Sequence, residues 1–181
     1  MREIIYDVAV TLDGYIAAPG GDVSAFPQTG PHAEAYAQRL ATYDTVLMGR
    51  ATYEFAYDFS LPPGVRAYPH MAHYIFSGSI TLPEGAAVTA VRSEWREWVT
   101  RLREQPGAAI YLCGGGQFAG WMLSKNLIDR LVLKRVPITL GGGIPLFDMA
   151  GVRAKGAEWQ CLGATPYDNG VVLETYTRKT A

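Results

Sequence analysis

Two short stretches carry residue types that could hold a phosphorylated ligand. In the first, AAIYLCGGGQFAG over residues 108–120, a short apolar run meets Gly114, Gly115 and Gly116, and Gln117 and Phe118 then open a helical pattern. A buried strand that stops at glycines and turns into a helix presents bare backbone N–H groups. The first four N–H groups of a helix lack intrahelical partners, and the helix dipole favours negative charge there. Glycine also lets a ligand approach the main chain without meeting a Cβ. The same stretch reads equally as a tight strand-to-helix turn with no ligand. The second stretch is Gly49-Arg50-Ala51-Thr52, after the apolar TVLM. Arg50 supplies a rigid fork of donors and Thr52 a hydroxyl at another strand-to-helix turn. Two such turns on one carboxyl edge of a parallel sheet suit a ligand with several phosphates.

Other chemistries find less support. His32-Ala33-Glu34 matches H-x-E, but a zinc deaminase also needs P-C-x-x-C, and neither Cys113 nor Cys161 has a partner at that spacing. His70 and His73 read as a surface pair rather than a metal site, since no carboxylate or third histidine accompanies them. No metal is expected. There is no G-x-S-x-G for nucleophilic hydrolysis. Gly114–Ala119 fits a relaxed G-x-G-x-x-A, yet it follows several strands rather than the first one. The position about 20 residues on, where a ribose-binding acid would stand, falls near Arg135 and Val136, so a standard Rossmann domain is not indicated.

The elements that must position these turns are readable from hydrophobic runs and glycine stops. Buried strands are expected at Ile4–Val10 (apolar apart from Asp7), Thr45–Met48, His73–Ser77, Ala87–Val91, the run before Gly114, and Leu131–Val136. Helices are expected at His32–Tyr43, after Gly49-Arg50, after an N-cap at Ser93, and from Gln117 to about Ser124. Glu158–Ala164 and Val171–Thr177 alternate across Asp168-Asn169-Gly170, a hairpin signal. Strands alternating with helices and closed by a hairpin imply a mainly parallel sheet covered on both faces, in a single domain over residues 1–181. The loop from Thr11 to Pro31 is long and rich in glycine and proline, as a lid would be.

The totals agree with an ordinary globular protein. At 181 residues the chain can bury a sizeable core, and 18% charged residues argue against disorder. Sixteen basic residues against seventeen acidic ones give no field to attract nucleic acid or a membrane surface. The charged opening MREIIYDVAV is not expected to be a signal peptide, and the two cysteines read as buried thiols in a reduced compartment, so a cytoplasmic location is expected.

Taken in order, the motifs Thr11–Ala17 (TLDGYIA), Met48–Glu54 (MGRATYE), Tyr74–Ser77 (YIFS), Leu112–Gly116 (LCGGG), Leu127–Asp129 (LID) and Val136–Phe147 (VPITLGGGIPLF) resemble the dihydrofolate reductase-like superfamily. The nearest likeness is to the branch similar to the C-terminal reductase domain of the bifunctional riboflavin-biosynthesis enzyme. This resemblance implies a three-layer α/β/α fold with a mainly parallel eight-stranded sheet and a C-terminal antiparallel hairpin. It also implies NADPH as hydride donor, a small heterocyclic substrate and a homodimer. Gly49, Arg50 and Thr52 match the turn used for cofactor phosphates, Ser77 the strand end beside the adenosine 2′-phosphate, and Gly114, Gly115, Gly116 and Gln117 the pyrophosphate loop. Ala9 and Ile16 match positions lining the nicotinamide. Asp13 matches an aspartate on the substrate side, where it could orient substrate or help deliver a proton; its other reading is to shape the turn before Gly14. Tyr15, Glu34 and Tyr36 are the candidate substrate contacts.

Three departures qualify the likeness. Gly78 stands where a basic residue often follows Ser77, which leaves NADH open as an alternative donor. Ala33 stands where dihydrofolate reductases carry the folate-binding acid, and Glu34 points about 100° away on a helix, so dihydrofolate is not the expected substrate. Arg130 follows Ile128-Asp129 where the related pattern often has Glu. The competing reading is a non-catalytic ligand-binding or dimeric scaffold domain that kept the fold.

Overall fold

The computed structural model describes residues 1–151 and 156–179. Its first half runs β1 (Ile4–Thr11), β2 (Tyr15–Ala17), α1 (Pro31–Leu40), β3 (Thr45–Gly49), α2 (Arg50–Phe55), β4 (Ala72–Phe76) and β5 (Thr89–Val91). Its second half runs α3 (Trp95–Glu104), β6 (Ile110–Gly114), α4 (Gly116–Ser124), β7 (Arg130–Val136), β8 (Ile144–Pro145), β9 (Trp159–Pro166) and β10 (Val172–Arg178). Eight strands form one sheet in the order β5-β4-β3-β6-β1-β7-β10-β9, and β2 pairs with β8 in a separate small ribbon. Every pairing from β5 to β7 is parallel; β10 runs antiparallel to both β7 and β9. The expected fold class is therefore the observed one.

Strand alternation sets the layers, because successive side chains point to opposite faces. From β1, Ile4, Tyr6 and Val10 join a core with Val99 and Leu102 of α3 and Phe118 and Met122 of α4. Ile5 points the other way, into a core shared with Tyr36 and Leu40 of α1 and Tyr53 of α2. Helices thus cover both faces. The chain leaves β1 toward α1 on one face and leaves the neighbouring β6 toward α4 on the other, which opens a crevice at the carboxyl edge between them. No helix among the described residues is long and apolar enough to cross a membrane.

Several local expectations are corrected. Ser93 does not cap α3: Glu94, at φ +50°, holds the cap position without a side-chain bond. The hairpin expected across Asp168-Asn169-Gly170 does form: β9 and β10 pair antiparallel, Tyr167 N–H donates to Val171 O at 2.8 Å, and Gly170 at φ +83° takes the left-handed position. Cys161 is exposed rather than buried, and Cys113 is half-buried. His70 and His73 are not a surface pair, because His73 is 2% exposed. It accepts from Tyr68 N–H at 3.1 Å and bonds Met71 O at 3.0 Å.

The Thr11–Pro31 segment is tied down at several points and is not a free lid. Tyr15 and Ala17 pair with Pro145 and Ile144, Leu12 N–H donates to Ile138 O at 2.9 Å, and Phe26 is buried against Val136 and Val171.

Candidate active site

The two glycine-containing turns end adjacent parallel strands and meet at one edge. β3 stops at Gly49 and α2 begins at Arg50; β6 stops at Gly114 and α4 begins at Gly116, with Gly115 as its N-cap. The peptide between Gly114 and Gly115 is cis, and Gly114 has φ +113°. A Cβ on Gly115 would lie 3.1 Å from the Thr52 Oγ1 and 4.0 Å from Ile16 Cδ1, so three candidate positions from separate segments converge. The first helical bond of α4 is Ala119 N–H to Gly115 O at 2.9 Å, and no side chain caps the helix. The N–H groups of Gly116, Gln117 and Phe118 therefore precede the helical ladder, as donors to a ligand must.

Gly116 has a second duty. A Cβ there would come within 2.4 Å of Pro145 O, so the glycine also admits the Gly143–Asp148 segment against α4. Asp148 N–H donates to Gly116 O at 3.0 Å and Leu146 N–H to Gly14 O at 2.9 Å, which joins this segment to both the glycine turn and the loop after β1. Gln117 is exposed at the mouth of the turn.

The Arg50 side is open and cationic. Arg50 is exposed, donates to Ser79 Oγ at 3.3 Å and pairs with Glu54 at 3.5 Å. Ser77, 6% exposed, accepts from Ser79 N–H at 3.2 Å and Ile80 N–H at 3.0 Å. Its hydroxyl therefore shapes the turn after β4, and Arg50 with Ser79 forms the outward-facing part. A Cβ on Gly78 would meet nothing nearer than Arg92 O at 3.8 Å, so a side chain has room there.

Asp13 has partners on both carboxylate oxygens. Oδ1 accepts from the Thr11 hydroxyl at 2.5 Å, and Oδ2 accepts from Leu140 N–H at 3.0 Å and Gly141 N–H at 2.7 Å. The Thr11 hydroxyl, with these amides behind it, holds the carboxyl below the usual aspartate range. Of the roles open to Asp13, the structure supplies the partners for shaping the turn. Tyr15 sits on the β2–β8 ribbon, with its N–H donating to Thr11 Oγ1 at 2.9 Å.

A cavity of about 130 Å³ lies on the α1 face, lined by Ala9, Ala33, Tyr36, Lys134, Val136 and Val171 among others. β1 pairs with β6 up to Tyr6 opposite Leu112, so Ala9 lies beside the strand end where β6 turns away. The cavity lies over β1 and β7, where Ala9 pairs with Lys134, and no residue of the glycine turn lines it. Ala33 and Tyr36 line it; Glu34 is exposed and does not, as its helical position requires. Tyr36 OH bonds Tyr111 OH at 2.6 Å.

Sequence reasoning passed over one cluster here. Asp7, fully buried, takes Arg39 Nε at 2.7 Å and Lys134 Nζ at 3.0 Å. Single charges inside apolar strands were its only signal. Burial pushes the Cys113 thiol up, so it stays protonated beside Tyr68 and is no ready nucleophile.

The likeness to known proteins agrees with this geometry. The chain is 32% identical over 147 residues to the uncharacterised Bacillus subtilis protein YwjB, covering 81% of this chain and 83% of that one. A Shewanella sp. PV-4 protein assigned by name to riboflavin biosynthesis superposes with a TM-score of 0.82 at 25% identity, over 99% of this chain and 100% of that one. The dihydrofolate reductase of Enterococcus faecalis, solved with NADP(H), superposes with a TM-score of 0.70 at 16% identity, over 98% and 97%, and so shares the fold. The RibD C-terminal domain family matches residues 2–173, and the chain belongs to that family.

Proposed function

We propose that the chain is an NADPH-dependent reductase that delivers a hydride to a small heterocyclic substrate, similar to the reductase acting on 5-amino-6-(5-phosphoribosylamino)uracil in riboflavin synthesis. The observation that carries this reading is the convergence of Thr52, Gly115 and Ile16 at the carboxyl edge of adjacent parallel strands. Membership of a reductase family and the NADP(H) held by the Enterococcus enzyme of the same fold support it.

The residues present fit such a dinucleotide. The uncapped N–H groups at the start of α4 would receive its pyrophosphate, with the Thr52 hydroxyl beside them. Arg50 and Ser79 would meet the adenosine phosphate. Ile16, beside Gly115, and Ala9, in the cavity wall, would flank the nicotinamide ring. When bound, the cofactor supplies the hydride; the protein's part is to hold donor and acceptor in register and keep water out. Thr11 and Asp13 hold the loop after β1 against Leu140 and Gly141, which fixes the wall on which Ile16 stands. NADH is the second donor to test, because Gly78 offers no charge to a 2′-phosphate. A homodimer belongs to the same reading, and light scattering would test it as twice the 19.7 kDa chain mass.

Calorimetric titration with NADPH tests the proposal. Saturable binding is expected, weakened about tenfold or more by Arg50→Ala through loss of a charge-assisted contact. Absence of binding of NADPH and NADH at millimolar concentration would refute it.

A further inference from the structure

His32 is a polar ring that is nonetheless buried, 5% exposed, and it joins three separate segments. It stands in the first turn of α1. Its Nε2 lies 3.0 Å from Pro27 O, and its Nδ1 lies 2.9 Å from Asn169 Nδ2 in the β9–β10 turn. A carbonyl oxygen only accepts, so Nε2 carries the proton. Asn169 Oδ1 accepts from Val171 N–H at 3.3 Å, which turns the amide N–H toward His32 and makes Nδ1 the acceptor. One species satisfies both contacts: the neutral imidazole with its proton on Nε2.

This ring holds a strap. Among the described residues, 23–29 hydrogen-bond only within themselves and to the adjacent Asp22, apart from the bond from His32 to Pro27 O. Phe26 adds its apolar contact with Val136 and Val171. Phe26, Pro27 and Gln28 wall the cavity of about 130 Å³, and His32 lines it too. A segment held by one hydrogen bond and one buried side chain belongs to the low-stability end of a fold, where local opening occurs.

A second proton does not fit the ring. On Nδ1 it would face the Asn169 amide N–H, donor against donor. Rotating that amide would bring Oδ1 to His32 but turn Nδ2 onto Val171 N–H. The cation would also be buried without an anion, because neither ring nitrogen has a carboxylate partner. Tyr167 of the hairpin meets the ring edge-on at 6.3 Å, and burial keeps Tyr36, one turn along α1, neutral. In the same cavity wall stands the Lys134 ammonium, whose partner Asp7 is already shared with Arg39. Glu34 and Asp168 are exposed. A charged ring in these surroundings is better solvated by swinging out to water, which breaks its bond to Pro27.

We propose that His32 is a pH-sensitive clasp. Neutral, it ties the strap of residues 23–29 to α1 and to the β9–β10 turn and keeps the cavity closed. Protonated, it releases the strap and opens the cavity. That the cavity receives a substrate rests on the reductase reading; the clasp does not.

The test is NMR and amide hydrogen exchange on the full chain from about pH 8 down to about pH 5, the range over which an imidazole changes charge. At the alkaline end the ring nitrogens of His32 should report the Nε2–H tautomer, with Nδ1 unprotonated. As the ring titrates, protection factors of residues 24–26 and 28–29, corrected for intrinsic exchange, should fall about fivefold or more, the worth of one hydrogen bond. Those of β1 and β7 should hold. His32→Phe should leave the strap poorly protected at every pH. Asn169→Ala admits water to Nδ1, so the pH dependence of the strap should shrink there. A ring that stays neutral throughout, an Nδ1–H tautomer, or strap protection that holds constant while the ring titrates would each overturn the proposal. These three readings come from the unmodified chain, so they decide even where a variant does not fold. Failure of NADPH to bind would count against the reductase reading and leave the clasp standing.

Discussion

Gly78 concentrates the question of which dinucleotide the chain prefers. It follows Ser77 at the end of β4, near the Arg50–Ser79 contact, and its backbone lies outside the left-handed region. The nearest atom to a Cβ there is a carbonyl oxygen, Arg92 O, at 3.8 Å, which would welcome a guanidinium. Gly78→Arg should therefore raise the preference for NADPH over NADH by about tenfold, read as the ratio of dissociation constants. Equal gains for both dinucleotides would mean that the 2′-phosphate lies elsewhere. Asp13 illustrates the opposite outcome. Its position in the sequence left substrate orientation, proton delivery and turn shaping open, and the partners of the turn-shaping role are a neighbouring hydroxyl and two amides about 127 residues away. Such partners are invisible to local spacing.

At the scale of elements, α4 owes its place to small residues. A Cβ on Gly120 would meet the backbone Asp148 O at 2.2 Å, closer than any real contact allows. Gly→Ala inside a helix ordinarily stabilises by nearly 1 kcal/mol, but here the collision dominates. Gly120→Ala should lower stability by about 1–3 kcal/mol in chemical denaturation, the usual cost of overpacking. It should also weaken dinucleotide binding, because the displaced segment bonds Gly116 O. A neutral or stabilising result would contradict the packing described.

The eight strands of the main sheet and the four helices were legible because six strands are short apolar runs bounded by glycine, proline or a change of period, and the last two alternate across Asp168-Asn169-Gly170. The β2–β8 ribbon was not. A strand as short as Ile144–Pro145 has no periodicity, and Gly141–Gly143 beside it looks like loop. Asp7 and Lys134 were visible as interruptions of β1 and β7, but their pairing depends on strand register.

For the whole molecule, stability should fall on both sides of neutrality. The Arg135 pairing holds Glu174 low, and the Thr11 hydroxyl and loop amides hold Asp13 low. A carboxylate with a depressed folded pKa contributes stability above its unfolded value and loses it as pH falls through the folded one. The acid limb should therefore begin at about pH 4. Burial raises Tyr6, Tyr36 and Tyr111, so their contribution is full below about pH 10 and is lost as pH climbs past it. Thermal denaturation against pH checks both limbs. Asp13→Asn should flatten the acid one, and an unchanged slope would show that its three donors contribute nothing to folding.

The central claim is that the turns after β3 and β6 form one dinucleotide site. Amide hydrogen exchange with and without NADPH measures this most directly. Joint protection of residues 50–52 and 115–118, with little change along β9 and β10, is the predicted result. Binding that leaves both turns unprotected, or protects only one of them, would contradict the account.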